Sequence, residues 1–186
     1  MLYLDDNLLI GRGTERYCYR HPHDPTRCIK VTHNFQNTRH QNTKDYKYFK
    51  KLEERHIDWS HLPRCHGWVV TDKGEGLVFD LIQDENHRPL NSLKQLLESG
   101  ELKIECLTAS LRNLHDYLLR YRIFTSDLRE SNIICEANGL QPPHLYIIDG
   151  IGDRDFIKLA AHCSPLGRAK VNRQWAKFMK RLEGRK

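Results

Sequence analysis

The chain has 186 residues, of which 39% are hydrophobic and 29% are charged, and its formal net charge is +6. This composition is typical of a folded protein and excludes a disordered chain, while the length suits one domain or two small lobes. No apolar run approaches the roughly 18–20 residues that cross a bilayer, and the N-terminus lacks the basic start of a secretory signal.

The chain before residue 83 alternates short strand-like runs with turns. The pattern predicts five strands, at 8–10, 16–19, 28–31, 67–71 and 76–82. Between the third and the fourth, apolar residues at helical spacing predict a helix over 44–55. We therefore expect antiparallel hairpins with one inserted helix.

The character of the sequence changes after Ser92. A short helix is predicted to end at Gly100, and leucines at helical spacing over 107–118 predict a longer amphipathic helix. Two short strands, at 132–135 and 145–148, precede a final helix over 168–182. The predicted fold class is α+β, with an N-terminal lobe over 1–82, a linker over 83–91 and a mainly helical lobe over 92–186.

The six cysteines are scattered and form no CxxC pair, so neither a disulfide scaffold nor a zinc site is indicated. Reduced thiols predict a cytoplasmic protein. Two histidine groups are weak metal candidates without a recognised ligand spacing. They are His21 with His23 and His33, and His61 with Cys65 and His66.

The segment 123–134 contains Asp127 and Asn132 at D-x4-N spacing. Phosphoryl transfer needs a carboxylate near the attacking hydroxyl and an oxygen ligand for magnesium, and a short loop with both residues supplies them. The same spacing also fits a surface loop closed by an Asx-turn. The pair alone leaves both interpretations open.

Three other features point to the same chemistry, each weakly. Asp149 ends an apolar strand before Gly150, where it could project a hard oxygen ligand or simply begin a turn. Gly11 and Gly13 lie between two strand-like runs, where backbone could approach phosphates. Lys30 lies in an otherwise apolar strand and needs an anionic partner.

The order of these features resembles the signature set of protein kinases. The whole chain also resembles the bacterial YrbL family, which is named for the PhoP regulatory network. The segments that carry this resemblance are IDWSHLPR at 57–64, Gly67-Trp68 and GEGLVFDLI at 74–82. The resemblance covers nearly the full length and implies a single two-lobed, kinase-like domain that binds ATP and Mg²⁺.

In the part before residue 60, the resemblance implies a nucleotide-binding role for several residues. Gly11 and Gly13 would form a loop over the phosphates, with Arg16 where a third glycine is usual. Lys30 would contact the α- and β-phosphates. Asp45 on the next helix is the best match for the acidic partner of that lysine.

The later site residues follow from the same resemblance. Phe79 would lie at the back of the nucleotide pocket. The hinge that offers backbone groups to adenine would consist of Asp80, Leu81 and Ile82. The catalytic base would be Asp127, and the two magnesium ligands would be Asn132 and Asp149.

The chain departs from the kinase pattern at several points. Thr125-Ser126 stands where His-Arg is usual, the DFG position has Asp149-Gly150-Ile151, and only a short stretch follows it, so we expect a reduced C-terminal lobe. Two functions stay open: a phosphotransferase with an unknown acceptor, and a non-catalytic, pseudokinase-like regulator that acts through protein contacts.

The positive charge is concentrated in the segment 168–186. Such a segment can contact nucleic acid or a membrane surface. Its apolar stripe is more simply explained by packing against a core, with the cationic face solvated. Nucleic-acid binding is therefore ranked last, and the expected partners are a nucleotide and either a phosphate acceptor or a regulatory protein.

Overall fold

A computed structural model describes residues 1–33, 41–137, 142–152 and 164–184 of the chain. The chain divides into two units. The first comprises Met1–Trp59 and Pro63–Pro89, and the second comprises Ser60–Leu62 and Leu90–Lys186. The three residues Ser60–Leu62 therefore group with the later part of the chain, which no sequence pattern predicted.

The first unit is built on a five-stranded antiparallel sheet with the strand order β1-β2-β3-β5-β4. Its strands are β1 (Leu9–Arg12), β2 (Arg16–His21), β3 (Asp24–Thr32), β4 (Cys65–Thr71) and β5 (Gly74–Asp80). Helix α1 (Gln41–Glu54) packs against β3, β4 and β5. All five predicted strands are present, and α1 begins at Gln41 instead of residue 44.

The centre of this sheet is strand β3, in which the four consecutive residues from Cys28 to Val31 are buried. Consecutive buried residues are typical of a strand covered on both faces. One face carries an apolar cluster that includes Leu4, Tyr19, Ile29 and Val78. The chain therefore places Lys30 inside a packed strand, where a charged side chain is rare.

The second unit is mainly helical. Its helices are α2 (Leu93–Glu98), α3 (Thr108–Arg120) and α4 (Ser164–Glu183), and its hairpin consists of β6 (Ile133–Glu136) and β7 (His144–Ile147). A capping box between Ser92 and Gln95 starts α2. The leucine stripe of α3 is buried, and so are Val171, Phe178 and Leu182 on α4. The predicted α+β class is confirmed.

No helix within the described ranges combines the length and the apolar character needed to span a membrane.

Alkaline pH is expected to destabilise the hairpin through Tyr146 on β7. Burial, followed by a hydrogen bond with Glu136, raises the pKa of Tyr146 from 10.0 to about 12. Because the folded protein holds this proton more tightly, the stabilisation is complete below pH 10 and is lost as pH rises to about 12. We expect Tyr146→Phe to show a shallower loss of unfolding free energy than the wild type over this range.

Urea unfolding at stepped pH measures this difference. Burial also raises the pKa of Cys135, to about 11, but that thiol is present in both proteins and cancels in the comparison. If the unfolding free energies of the two proteins fall equally steeply with rising pH, the assignment to Tyr146 is contradicted.

Candidate functional site

In the second unit, the loop with Asp127 pairs with the segment that follows β7. Thr125 and Ile151 form an antiparallel bridge. The Ser126 N–H donates to the Gly150 carbonyl at 2.7 Å, and the Gly152 N–H donates to the Phe124 carbonyl at 2.9 Å. These bonds hold the two segments side by side.

The same pairing brings Asn132 and Asp149 close to Asp127. The Asn132 side-chain amide, Nδ2, donates to the Asp127 carbonyl at 3.0 Å. The Ile148 N–H donates to the Asn132 carbonyl at 2.9 Å, and the Gly150 N–H donates to Asp149 Oδ1 at 2.8 Å. The three polar residues predicted at 127, 132 and 149 therefore lie in one hydrogen-bonded cluster.

Gly150 makes this approach possible. Its φ is +73°, and a Cβ atom built on it would lie 2.3 Å from the Asp127 carbonyl oxygen and 3.3 Å from Asn132 Nδ2. Both the positive φ and the lack of space require glycine here. The Asp-Gly pair in the sequence is therefore explained by the packing of the two segments as well as by a turn.

Arg129 belongs to the cluster, although sequence reasoning missed it. Its guanidinium Nε donates to Asp127 Oδ1 at 2.6 Å, and the Arg129 side chain is 57% exposed against 24% for Asp127. The sequence could have indicated this contact, because Arg129 follows the predicted base Asp127 by only two residues. Arg129 therefore orients the Asp127 carboxylate through a charge-assisted hydrogen bond.

Helix α4 braces the same loop. Gln174 Oε1 accepts a hydrogen bond from the Thr125 N–H at 3.1 Å. Arg181 donates through its guanidinium to the Leu128 carbonyl. The two contacts lie on either side of Asp127 in sequence. The helix was predicted to have a solvated cationic face, but one of its cationic side chains, Arg181, contacts the loop.

In the first unit, Gly11 and Gly13 occupy different environments. Gly11 lies within β1 opposite Cys18, not in the connecting turn. Gly13 is in the turn, where its N–H donates to the Arg16 carbonyl at 2.8 Å. The segment predicted to cover phosphates is therefore a tight hairpin, with only its second glycine at the tip.

Lys30 lies on β3 with its ammonium nitrogen 4.8 Å from the centre of the Phe79 ring. Cys28, two residues earlier on the same face of the strand, is directly opposite Phe79 in the register. Its interaction with the Cys18 thiol, followed by burial, raises the pKa of Cys28 well above its ordinary value. The Cys28 thiol beside Lys30 therefore stays protonated at neutral pH.

Asp45 on α1 receives a guanidinium from β2. Arg16 Nη1 lies 2.6 Å from Asp45 Oδ2, and both side chains are buried. Asn42 accepts from Arg16 at 3.0 Å and donates to the Lys30 carbonyl at 2.8 Å. Arg16, which stands where a third glycine is usual, therefore links β2 to α1 and, through Asn42, to β3.

The predicted hinge begins at the last residue of β5. The Asp80 N–H donates to the Arg64 carbonyl at 3.0 Å, and the Leu81 N–H donates to the Thr26 carbonyl at 2.8 Å. These two donors are therefore used within the first unit, and the Asp80 carbonyl accepts from Cys28 Sγ at 3.8 Å. The role of Asp80, Leu81 and Ile82 as a hinge stays a prediction.

The histidine groups do not assemble. His33 stacks on Tyr17 with 4.0 Å between ring centres, whereas His21 packs against His23. His61 belongs to the second unit and shares a hydrogen bond with the Leu145 carbonyl. In the described parts of the chain, no group of three or more His, Cys, Asp or Glu side chains is arranged to hold a metal ion.

Comparison with known proteins gives a full-length relationship and a fold relationship. The family described as "PhoP regulatory network protein YrbL" matches residues 2–183. Two proteins named "Uncharacterized protein YrbL", from Escherichia coli K12 and Shigella flexneri, are each 34% identical over 182 residues. Each alignment covers 96% of this chain and 87% of the relative.

Among solved structures, the chain is similar to the Mycobacterium tuberculosis PknI kinase domain, with a TM-score of 0.51 at 13% sequence identity. The match covers 76% of this chain and 57% of the kinase domain. At this identity the similarity shows the fold alone, which is a shortened kinase-like fold as the sequence predicted. The family match over residues 2–183 and the 34% identity to the two relatives establish that the chain belongs to the YrbL family.

Proposed function

We propose that this chain binds ATP with Mg²⁺ and transfers the terminal phosphoryl group to an acceptor hydroxyl. The observation that carries the proposal is the convergence of Asp127, Asn132 and Asp149 around Gly150 in the second unit. A kinase-like fold makes phosphoryl transfer the natural use of such a cluster.

The donor set of the cluster fits Mg²⁺. Asn132 donates through its nitrogen to the Asp127 carbonyl, so its amide oxygen, which accepts a long hydrogen bond from Ser131 Oγ at 3.5 Å, would be its metal-binding end. Asp149 supplies a carboxylate. Magnesium prefers such hard oxygen ligands and usually completes its shell with water and substrate phosphates. With two protein ligands, ATP and Mg²⁺ are expected to bind together.

The residues then have distinct roles. The bound Mg²⁺ would neutralise charge on the phosphates during transfer. Asp127, oriented by Arg129, would accept the proton of the acceptor hydroxyl. The hydroxyl oxygen would bond to the terminal phosphorus as the bond from that phosphorus to ADP breaks. The role of Lys30, on β3, stays a prediction.

Replacing Asp149 with alanine is expected to abolish the stabilisation of the protein by ATP–Mg²⁺. A ligand at about 100 times its Kd stabilises a protein by about 2.7 kcal/mol, which a thermal-shift assay resolves readily. Asp116→Ala, which removes an exposed carboxylate on α3, is the matched control and should retain the full response. An unchanged response of Asp149→Ala would overturn the assignment.

Phosphoryl transfer is tested separately from binding. Wild-type protein should release the γ-phosphate or label itself, and Asp127→Asn should lose this turnover while still responding to ATP–Mg²⁺. A wild-type protein that binds ATP–Mg²⁺ without any turnover would leave the binding proposal standing. It would replace the catalytic proposal with the pseudokinase-like alternative.

A further inference from the structure

Positive charge is concentrated at the C-terminal end of the chain. The segment 168–186 contains eight Lys and Arg residues and one Glu, so the residues outside it carry a formal charge of −1, against +6 for the whole chain. Charge asymmetry of this kind is typical of proteins that bind an anionic polymer or surface. The position of each cation on helix α4 therefore decides what the segment contacts.

Three cations of α4 form one exposed row, which we call the cationic stripe. Arg173, Lys177 and Lys180 follow one another at spacings of four and three residues, so they share one side of the helix along about 10 Å of its length. Each is exposed, and within the described ranges none of their side chains forms an ion pair or a hydrogen bond. The described part of the chain therefore leaves the stripe without a neutralising partner.

The apolar side of α4 is not available to a membrane. Val171, Phe178 and Leu182 are buried, with 2%, 0% and 0% of their surfaces exposed. A helix that lies in a membrane interface inserts its apolar face among the lipids. Because that face of α4 is packed inside the protein, the helix offers a membrane only its charge.

The exposed side of α4 also lacks the anchors of a protein interface. Aromatic side chains supply much of the binding energy of such interfaces, and charged residues are depleted at their centre. Among the described residues of α4, the exposed large hydrophobic side chain is Leu166, about two turns before Arg173. Interfaces with nucleic acid are much more positively charged than those between proteins, so the stripe fits a nucleic acid better.

The rings of α4 decide between single-stranded and double-stranded nucleic acid. Trp175 is half-buried and stacks on His115 with 4.7 Å between ring centres, and Phe178 is buried. Proteins that bind single strands stack exposed aromatic side chains on unpaired bases. Since these two rings are used inside the protein, the stripe is left with contacts to phosphates, which a duplex presents at higher density.

We propose that the cationic stripe of α4 binds the phosphate backbone of double-stranded DNA without reading its sequence. A duplex carries one negative charge per about 1.7 Å of its axis, so a stripe about 10 Å long meets several phosphates. The sequence alone supports nucleic-acid binding only through charge, and the structure adds that the cations are aligned, exposed and unpaired. This binding does not depend on the proposed phosphoryl transfer.

Fluorescence anisotropy tests the proposal with a fluorescein-labelled DNA duplex, titrated with the full chain. We expect a Kd of about 1–100 µM at about 0.15 M salt, the range of non-specific binding. Three phosphate contacts predict a slope of about −2.7 for the logarithm of the binding constant against that of the salt concentration. Affinity should therefore fall about 40-fold between about 50 and 200 mM salt.

Two matched variants locate the contact. One variant reverses the three charges of the stripe: Arg173→Glu, Lys177→Glu and Lys180→Glu. The control reverses three exposed lysines of α1 and changes the net charge equally: Lys44→Glu, Lys47→Glu and Lys51→Glu.

At about 0.1 M salt, charges further than about 10 Å from the DNA are largely screened. We therefore expect the α4 variant to weaken binding at least about tenfold and to flatten the salt slope by about 2–3, and the α1 control to weaken binding less than about threefold. Glutamine at the same three α4 positions removes the charge without reversing it. It should weaken binding at least about threefold, which decides the question if the glutamate variant does not fold.

Four results would contradict the proposal. The first is no saturable binding of the duplex by the wild type at about 50 mM salt, and the second is an equal loss in the α1 control, which would mean that DNA follows net charge. The third is tighter binding of a single strand of the same sequence. The fourth is sedimentation with vesicles that contain phosphatidylserine while the duplex stays unbound, which would assign the stripe to a membrane surface.

Discussion

Gly150→Ala is expected to destabilise the second unit by about 2–5 kcal/mol. A residue other than glycine at positive φ costs about 1–2 kcal/mol, and forcing an extra carbon into a packed site typically costs about 1–3 kcal/mol more. Both terms apply, because φ is +73° and the new Cβ would lie 2.3 Å from the Asp127 carbonyl oxygen. Urea unfolding followed by circular dichroism measures the change.

Gly100 provides a close control for this variant. Its φ is +75°, but no atom lies within 4 Å of a Cβ built on it. Gly100→Ala should therefore show the conformational cost of about 1–2 kcal/mol without the clash. Equal losses in the two variants would mean that the segments around Asp127 separate easily. That result would contradict the close packing of Gly150 against Asp127.

Arg16→Met is expected to destabilise the first unit by about 3–5 kcal/mol. Removing one partner of a buried ion pair leaves the other charge in an unfavourable environment, and losses of this size are typical. Here the Arg16 guanidinium lies 2.6 Å from Asp45, with 7% and 6% of the two side chains exposed. The loss is measured as a shift of the urea unfolding transition.

A second variant distinguishes the ion pair from simple packing. Arg16→Met combined with Asp45→Leu removes both charges, and buried pairs replaced by apolar residues of similar size are often neutral in stability. We expect the double variant to recover most of the loss of Arg16→Met. If the double variant is as unstable as the sum of the two single changes, the charges do not interact and the pairing is wrong.

The helices whose apolar residues recur at helical spacing were predictable from the sequence. The leucine stripe of α3 is buried as expected, and so are Val171, Phe178 and Leu182 of the α4 stripe, whereas Trp175 is half-buried. Helical spacing indicates which face of a helix meets a core. The order of Asp127, Asn132 and Asp149 also led to residues that do lie together. Their roles in binding and transfer stay predictions.

Contacts between distant segments were not predictable. Arg16 pairs with a residue 29 positions away, and nothing in the local sequence of β2 indicates which helix position its guanidinium reaches. Gln174 looks like an ordinary polar residue on a helix surface until the loop of Thr125 is placed beside it. The grouping of Ser60–Leu62 with the second unit was not predictable either, because it follows from contacts with residues distant in sequence and not from local composition.

The brace that α4 gives to the loop of Asp127 has a consequence for synthesis on the ribosome. Its two contacts span 49 and 53 residues of sequence. Chains grow at about 5–20 residues per second, so about 3–10 s separate the appearance of the loop from that of its brace. During this interval the loop of Asp127 lacks the two contacts that α4 supplies. Final assembly of the site therefore comes late, when α4 docks.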